Sequence, residues 1–237
     1  MLEVEHLVKR FGGLVATDDV SFRVAEGEIL GVIGPNGAGK STLFELMSGF
    51  LAPDSGDVRF RGRSIVGRRP DVINRLGIAR TFQKLKPFSN MTAEENVMVG
   101  VMQHTSSMRA AREEALAALG FVGLLERRRV HAHGLSTGQR KRLELARAMS
   151  TRPRLMLLDE VTGGVDQGSI PGLIELVQRL REEGMTVILI EHNMQVMMTL
   201  ADRVIALHLG AKIAEGSPAE IREDRRVIES YLGAAYA

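Results

Sequence analysis

The period of hydrophobic and polar positions changes several times along the chain, and each change predicts an element. Val20, Phe22 and Val24 alternate with polar neighbours, and Val58 and Phe60 repeat the alternation after Asp54-Ser55-Gly56. A period of two marks strands with one buried face, so the N-terminal third is expected to carry antiparallel β structure. Ile29-Leu30-Gly31-Val32-Ile33, Leu155-Met156-Leu157-Leu158 and Thr186-Val187-Ile188-Leu189-Ile190 are instead unbroken apolar runs. Such runs belong to strands covered on both faces, as in a parallel sheet. Helical patterns at 41–48, 170–183 and 194–200 follow or separate them, and this alternation predicts a layered α/β domain.

The middle of the chain breaks the alternation. Between Met91 and Met149 no strand pattern occurs, while Arg109 to Leu125 and Gln139 to Met149 carry alanine, leucine, glutamate and arginine at helical spacing. An inserted helical subdomain is expected there. Val204 to His208 and Lys212 to Ala214 flank the turn sequence Leu209-Gly210-Ala211, which predicts a hairpin, and a closing helix is expected over 218–232. Without internal repeats or a low-complexity linker, 237 residues read as one elaborated domain.

Composition narrows the function classes. Hydrophobic residues make up 44% and charged residues 25%, ordinary globular usage. The 31 bases against 29 acids leave a formal charge of +2, too weak a field to point to nucleic acid; the high pI of 9.1 reflects bases that are mostly arginine. Absence of cysteine excludes a disulfide framework and any thiolate site. The N-terminus lacks a signal-peptide run, and the longest apolar runs fall far short of the roughly 20 residues that cross a bilayer. The chain is expected to be soluble and to reach a membrane only through a partner.

Gly34-Pro35-Asn36-Gly37-Ala38-Gly39-Lys40-Ser41 fits the phosphate-loop pattern, directly after an apolar strand and directly before a helix. Glycines let successive N–H groups converge on phosphate oxygens, the helix N-terminus adds its positive end, Lys40 reaches the β and γ phosphates, and Ser41 is placed to ligate Mg²⁺. Asp159 and Glu160 end a buried strand, where paired carboxylates are costly unless used. Beside a phosphate loop they read as the Mg²⁺-side carboxylate and the base that polarises water; taken alone they would be a strand-end turn or cap. Leu135-Ser136-Thr137-Gly138-Gln139 opens a helix upstream, and in isolation makes only a cap.

Together these motifs resemble the ATP-binding subunits of ABC transporters over nearly the whole chain. The resemblance implies an α/β P-loop NTPase of the ABC ATPase type: a β-rich N-terminal edge sheet, a RecA-like parallel-sheet core, and an inserted α-helical subdomain. It divides the single domain 1–237 into a catalytic core, 1–84 and 151–237, and a signature subdomain at about 85–150. It implies ATP and Mg²⁺ as cofactors. Phe11 would stack on adenine, and Gly34 to Ser41 with Thr42 would hold the phosphates. Gln83 would sense Mg²⁺ and the transmembrane partner, with Ser41, Gln83 and Asp159 on the metal and Glu160, His192 and Gln83 at the chemistry. Ser136, Gly138, Gln139 and Asp166 would reach the nucleotide of an opposite subunit. Lys84-Leu85-Lys86-Pro87-Phe88 would line the groove that receives a permease helix.

Gly77 to Gln83, Met91 to Val97, Glu191-His192-Asn193 and Ala214 to Pro218 look most like branched-chain amino acid importers, the first of their two ATPase subunits. That implies a paired ATPase subunit (a homologous heterodimer, or a homodimer in isolation), two permease chains, indirect work with a periplasmic solute-binding protein, and a place at the cytoplasmic face of the inner membrane. A lipid or lipopolysaccharide exporter, or a soluble ABC ATPase acting on nucleic acid or the ribosome, is the competing reading. Three places depart from the family pattern: Val161 replaces a proline, the loop Gly163 to Gln167 differs from the usual interface loop, and Thr137 stands for glycine or tyrosine. Loss of that proline removes a constraint from the turn behind Glu160.

Overall fold

The computed structural model describes residues 1–83 and 86–236; Lys84 and Leu85 of the expected docking loop lie outside the described residues. The N-terminal alternation becomes a four-stranded antiparallel sheet, ordered β2 (Leu14–Val24), β1 (Leu2–Phe11), β4 (Ser55–Phe60), β5 (Arg63–Ser64). In β1 the buried positions Leu2 and Val4 are followed by Leu7, so the spacing slips from two to three. The slip is a bulge. His6 and Asp19 face each other with left-handed φ of 49° and 53°, and His6 Nδ1 lies 2.7 Å from Asp19 Oδ1. The extra residue bends the strand and returns the apolar side chains to the inner face; it also hides β1 from a period-two reading.

The apolar runs form a six-stranded sheet in the order β10 (Ala211–Gly216), β9 (Arg203–His208), β3 (Ile29–Ile33), β8 (Thr186–Ile190), β7 (Leu155–Asp159), β6 (Ile78–Arg80). β9, β3, β8, β7 and β6 run parallel, and β10 closes one edge antiparallel. Every residue of β3, β7 and β8 is buried, as the runs predict. One face packs Leu30, Val32, Leu157 and Ile188 on the antiparallel sheet and on Leu43, Phe44 and Met47 of α1 (Lys40–Met47). The other face packs Met156, Leu158, Val187 and Leu189 against α6 (Ile170–Glu182), α7 (Met194–Leu200) and the helical region. β6 and α2 (Pro70–Leu76) were not expected from the pattern.

Between residues 93 and 149 the described structure holds three α-helices and no strand: α3 (Ala93–Val101), α4 (Met108–Phe121) and α5 (Thr137–Met149). Thr92 and Glu95 form a capping box on α3, and Ser107 caps α4. Asn96 is fully buried and staples the preceding loop to α3: its Oδ1 accepts from Phe88 N, and its Nδ2 donates to the carbonyls of Phe88, Met91 and Thr92. α4 stops at Phe121, short of the expected Leu125, which starts a short 3-10 turn instead. The closing helix is two: α8 (Pro218–Glu223) and α9 (Arg225–Tyr236), broken at Asp224, whose carboxyl is held down at about 2 by the Arg226 guanidinium. Among the described residues no helix is long and apolar enough to cross a membrane.

Candidate active site

The C-terminal ends of four adjacent parallel strands, β3, β8, β7 and β6, deliver the chemistry-bearing residues to one rim. Such a rim is the usual ligand site of an open α/β sheet. β3 feeds the loop Gly34–Gly39. Its glycines are required by contact as well as conformation: a Cβ on Gly34 (φ 152°) would lie 2.3 Å from Leu207 O, and one on Gly39 (φ 101°) 2.2 Å from Ala16 O. Gly39 caps α1 with no side-chain hydrogen bond, and no acid occupies the first turn, so the helix start is left open to an anion. Lys40 curls back over the loop, its Nζ donating to Gly34 O at 2.6 Å and Pro35 O at 2.9 Å. Burial lowers the pKa of this amine, and the charges of Glu160 and Asp159 partly restore it.

A cavity of about 470 Å³ lies over the loop. Asn36 to Thr42 floor it, Phe11, Leu14, Val15 and Ala16 wall one side, and Gln83, Glu160, Ile190 and His192 the other. The structure thus brings most of the sequence-selected residues together. Gly34 and Pro35 sit beneath, holding Lys40. The aromatic ring of Phe11 is half exposed, with Lys9 Nζ 5.6 Å from its centroid, so one face is free to stack. Leu14, Val15 and Ala16 were missed; their signal is their closeness to Phe11 in the same hairpin.

Glu160 follows β7 in a left-handed conformation, φ 51°, with its N–H donated to Ile190 O at 2.9 Å. Its Oε1 is 2.9 Å from both Gln83 Nε2, which donates, and His192 Nε2. Three sequence-distant segments therefore meet on one carboxylate oxygen. The turn behind it is pinned despite the lost proline: Val161 is buried in the core, and Glu160 O accepts from Gly163 N at 3.1 Å and from the buried Lys141 Nζ at 2.6 Å. Lys141 was missed because Arg140-Lys141-Arg142 reads as a solvated helix face. Glu191 Oε1 accepts both the N–H and the hydroxyl of Thr162, tying this turn to β8, and burial raises its pKa.

Asp159 does not line the cavity. It is buried behind Glu160, with Arg80 Nη2 3.5 Å away and its own N–H donated to Thr81 Oγ1. Burial raises its pKa, Arg80 opposes the rise, and Glu160 adds to it. Ser136, Gly138, Gln139 and Asp166 lie away from the cavity of their own chain. Ser136 and Gln139 form a reciprocal capping box at the start of α5. Gly138 packs on Ser169, where a Cβ would come within 3.2 Å, and Asp166 caps the turn before α6 by accepting from Ser169 N and Oγ.

A glycine-rich loop leading from a parallel strand into a helix, facing a carboxylate at the end of a neighbouring strand, defines a phosphate-loop nucleoside triphosphatase. The ABC transporter family model matches residues 17–163, and the chain belongs to that family as an ATP-binding subunit. Its C-terminal residues 211–237 match the model of the branched-chain amino acid ATP-binding cassette transporter. The high-affinity branched-chain amino acid transport ATP-binding protein BraF of Pseudomonas aeruginosa is 40% identical over 99% of this chain and 98% of its own length. LivG of Escherichia coli, of the same description, is 39% identical over the same shares. The ADP conformation of MJ1267, an ATP-binding cassette of an ABC transporter, superposes with a TM-score of 0.89 at 33% identity, over 98% of each chain.

Proposed function

We propose that the chain is the ATP-hydrolysing subunit of an importer for branched-chain amino acids or related amino acids and amides, acting at the cytoplasmic face of the plasma membrane. Glu160, held by Gln83 and His192 over the phosphate loop, is the observation that carries the catalytic reading. The loop amides and Lys40 take the phosphates, Phe11 takes the base, and Glu160 accepts a proton from the attacking water while His192 orients it. Ser41 and Gln83 line the cavity with oxygen donors of the kind Mg²⁺ prefers, and Asp159, buried behind Glu160, would act on the cation from behind them rather than from the cavity wall. Among the described residues no group of three or more His, Cys, Asp or Glu forms a rival metal cage, which suits a cation held largely by phosphates. Mg²⁺ supplies charge neutralisation on the phosphates when bound.

The separation of Ser136, Gly138, Gln139 and Asp166 from their own cavity supports completion of each site by a second ATPase subunit. Residues about 85–150 then act as the signature subdomain between that site and two permease chains, with a periplasmic binding protein delivering solute to them. The C-terminal match to the branched-chain model supports import over lipid export. Glu160→Gln is expected to keep nucleotide binding and lose about 10²–10⁴-fold in turnover; unchanged steady-state hydrolysis would remove Glu160 from the mechanism. Uptake of labelled leucine, isoleucine and valine by proteoliposomes holding the assembled transporter tests the cargo.

A further inference from the structure

Tyr231 lies on α9, inside the segment matched by the branched-chain model and far along the chain from the phosphate loop. Its hydroxyl oxygen nevertheless accepts the N–H of Gly34, the first residue of that loop, at 2.8 Å. The carbonyl of the same glycine accepts Lys40 Nζ at 2.6 Å. Gly34 is a close-approach position, where a Cβ would lie 2.3 Å from Leu207 O. The outer wall of the loop is C-terminal as well: Gly210 N donates to Ala38 O at 3.1 Å, and Gly210 O accepts from Asp18 N at 2.9 Å. α9 is docked through buried Val227 and Ser230, the latter's hydroxyl donating to Val227 O. Burial raises the pKa of Tyr231, so its hydroxyl stays neutral near pH 7 and accepts through an oxygen lone pair.

We propose that Tyr231 is a positioning residue for nucleotide binding: its hydroxyl holds the first peptide of the phosphate loop and links docking of the C-terminal helix to nucleotide occupancy. The proposal rests on the reading of the loop as the nucleotide site. A buried N–H without a partner is costly, so loss of the hydroxyl favours movement of Gly34. The Gly34 carbonyl anchors Lys40, and the movement therefore reaches the amine that meets the phosphates. Binding coupling is reciprocal, so nucleotide must tighten α9 by the same factor that α9 tightens nucleotide.

Tyr231→Phe in the full chain keeps the ring and removes only the hydrogen bond. Calorimetric ADP affinity is expected to fall about tenfold. KM for ATP rises alongside it, the change in kcat being smaller, and the thermal midpoint without nucleotide falls by a few degrees. A merely structural tyrosine would lower the midpoint and leave affinity alone. The chain has no tryptophan and two tyrosines, so Tyr236→Phe leaves Tyr231 as its one tyrosine and the source of its tyrosine emission. Its emission is expected to change on ADP titration with the calorimetric Kd. Equal ADP affinity in Tyr231→Phe and the parent, or emission that ignores ADP, overturns the proposal while the nucleotide site stands. Failure of the parent chain to bind ADP overturns both.

Discussion

α1 and α5 both begin beside glycine, and their first turns are built in opposite ways. α1 starts at Gly39, left-handed, with no capping side chain and a lysine as its first residue. α5 starts at Ser136, whose hydroxyl takes the Gln139 N–H at 3.3 Å while Gln139 Oε1 takes the Ser136 N–H at 3.0 Å. A helix start leaves donors unpaired unless something covers them. In α1 the covering group must come from outside the chain; in α5 the chain supplies it. The first turn is therefore left open to an outside group, and the second is satisfied within the chain; under the proposed contact in trans it would exchange its own hydrogen bonds before serving a nucleotide.

The largest test of this contrast is Lys40→Ala. ATP affinity is expected to fall about 100-fold or more, because a charge-assisted contact with phosphate is lost. The fold is expected to persist, since Lys40 Nζ bonds only carbonyls of its own loop. Equilibrium nucleotide binding and thermal unfolding on one preparation read both effects. Ser136→Ala should do the reverse. Loss of the cap is expected to cost about 1 kcal/mol, a shift of roughly 2–4 °C in the unfolding midpoint, with nucleotide binding to the isolated subunit unaltered. Reduced affinity in the isolated Ser136→Ala subunit would erase the distinction between the two helix starts.

The smallest effect concerns Glu191, which belongs to neither helix and braces the turn that carries Glu160. Burial raises its folded-state pKa above that of a free glutamate, so the folded chain holds this proton more tightly than the unfolded chain. Its contribution to stability is full below the unfolded pKa and is lost as pH rises through the folded one. Glu191→Gln keeps an acceptor for Thr162 and removes the titration. Denaturation midpoints followed from about pH 4 to 8 are expected to decline less with rising pH in the variant than in the parent. Parallel curves would mean that Glu191 contributes no titration to folding.

The same contrast explains which parts of the molecule were legible in the sequence. The phosphate loop, the three buried strands and the paired acids announce themselves because backbone conformation, strand burial and charge demand particular residue types at fixed spacing. β6 is only three residues long and ends in an arginine, which reads as an exposed end. In the structure the Arg80 side chain is only 8% exposed, its guanidinium 5.2 to 5.8 Å from the rings of Phe44, Phe50 and Phe82 and bonded to Ser48 Oγ. Lys141 misleads in the same way: its amine crosses from a basic helix face to Glu160 O. Both cations are chosen by partners distant in sequence, which local periodicity does not register. The bulge at His6 and the break at Asp224 are likewise set by tertiary pairing, and they divide patterns that the sequence presents as vague or continuous.

The left-handed backbone at Glu160 has a consequence for protein engineering. A residue with a full side chain at φ 51° carries strain of order 1–3 kcal/mol, which glycine or asparagine largely escapes. The position proposed to accept the proton is thus one where exchanges that would inactivate the enzyme relieve the backbone. Directed evolution for heat resistance alone would be drawn toward dead enzymes at residue 160, and only a screen that also demands turnover would keep the glutamate.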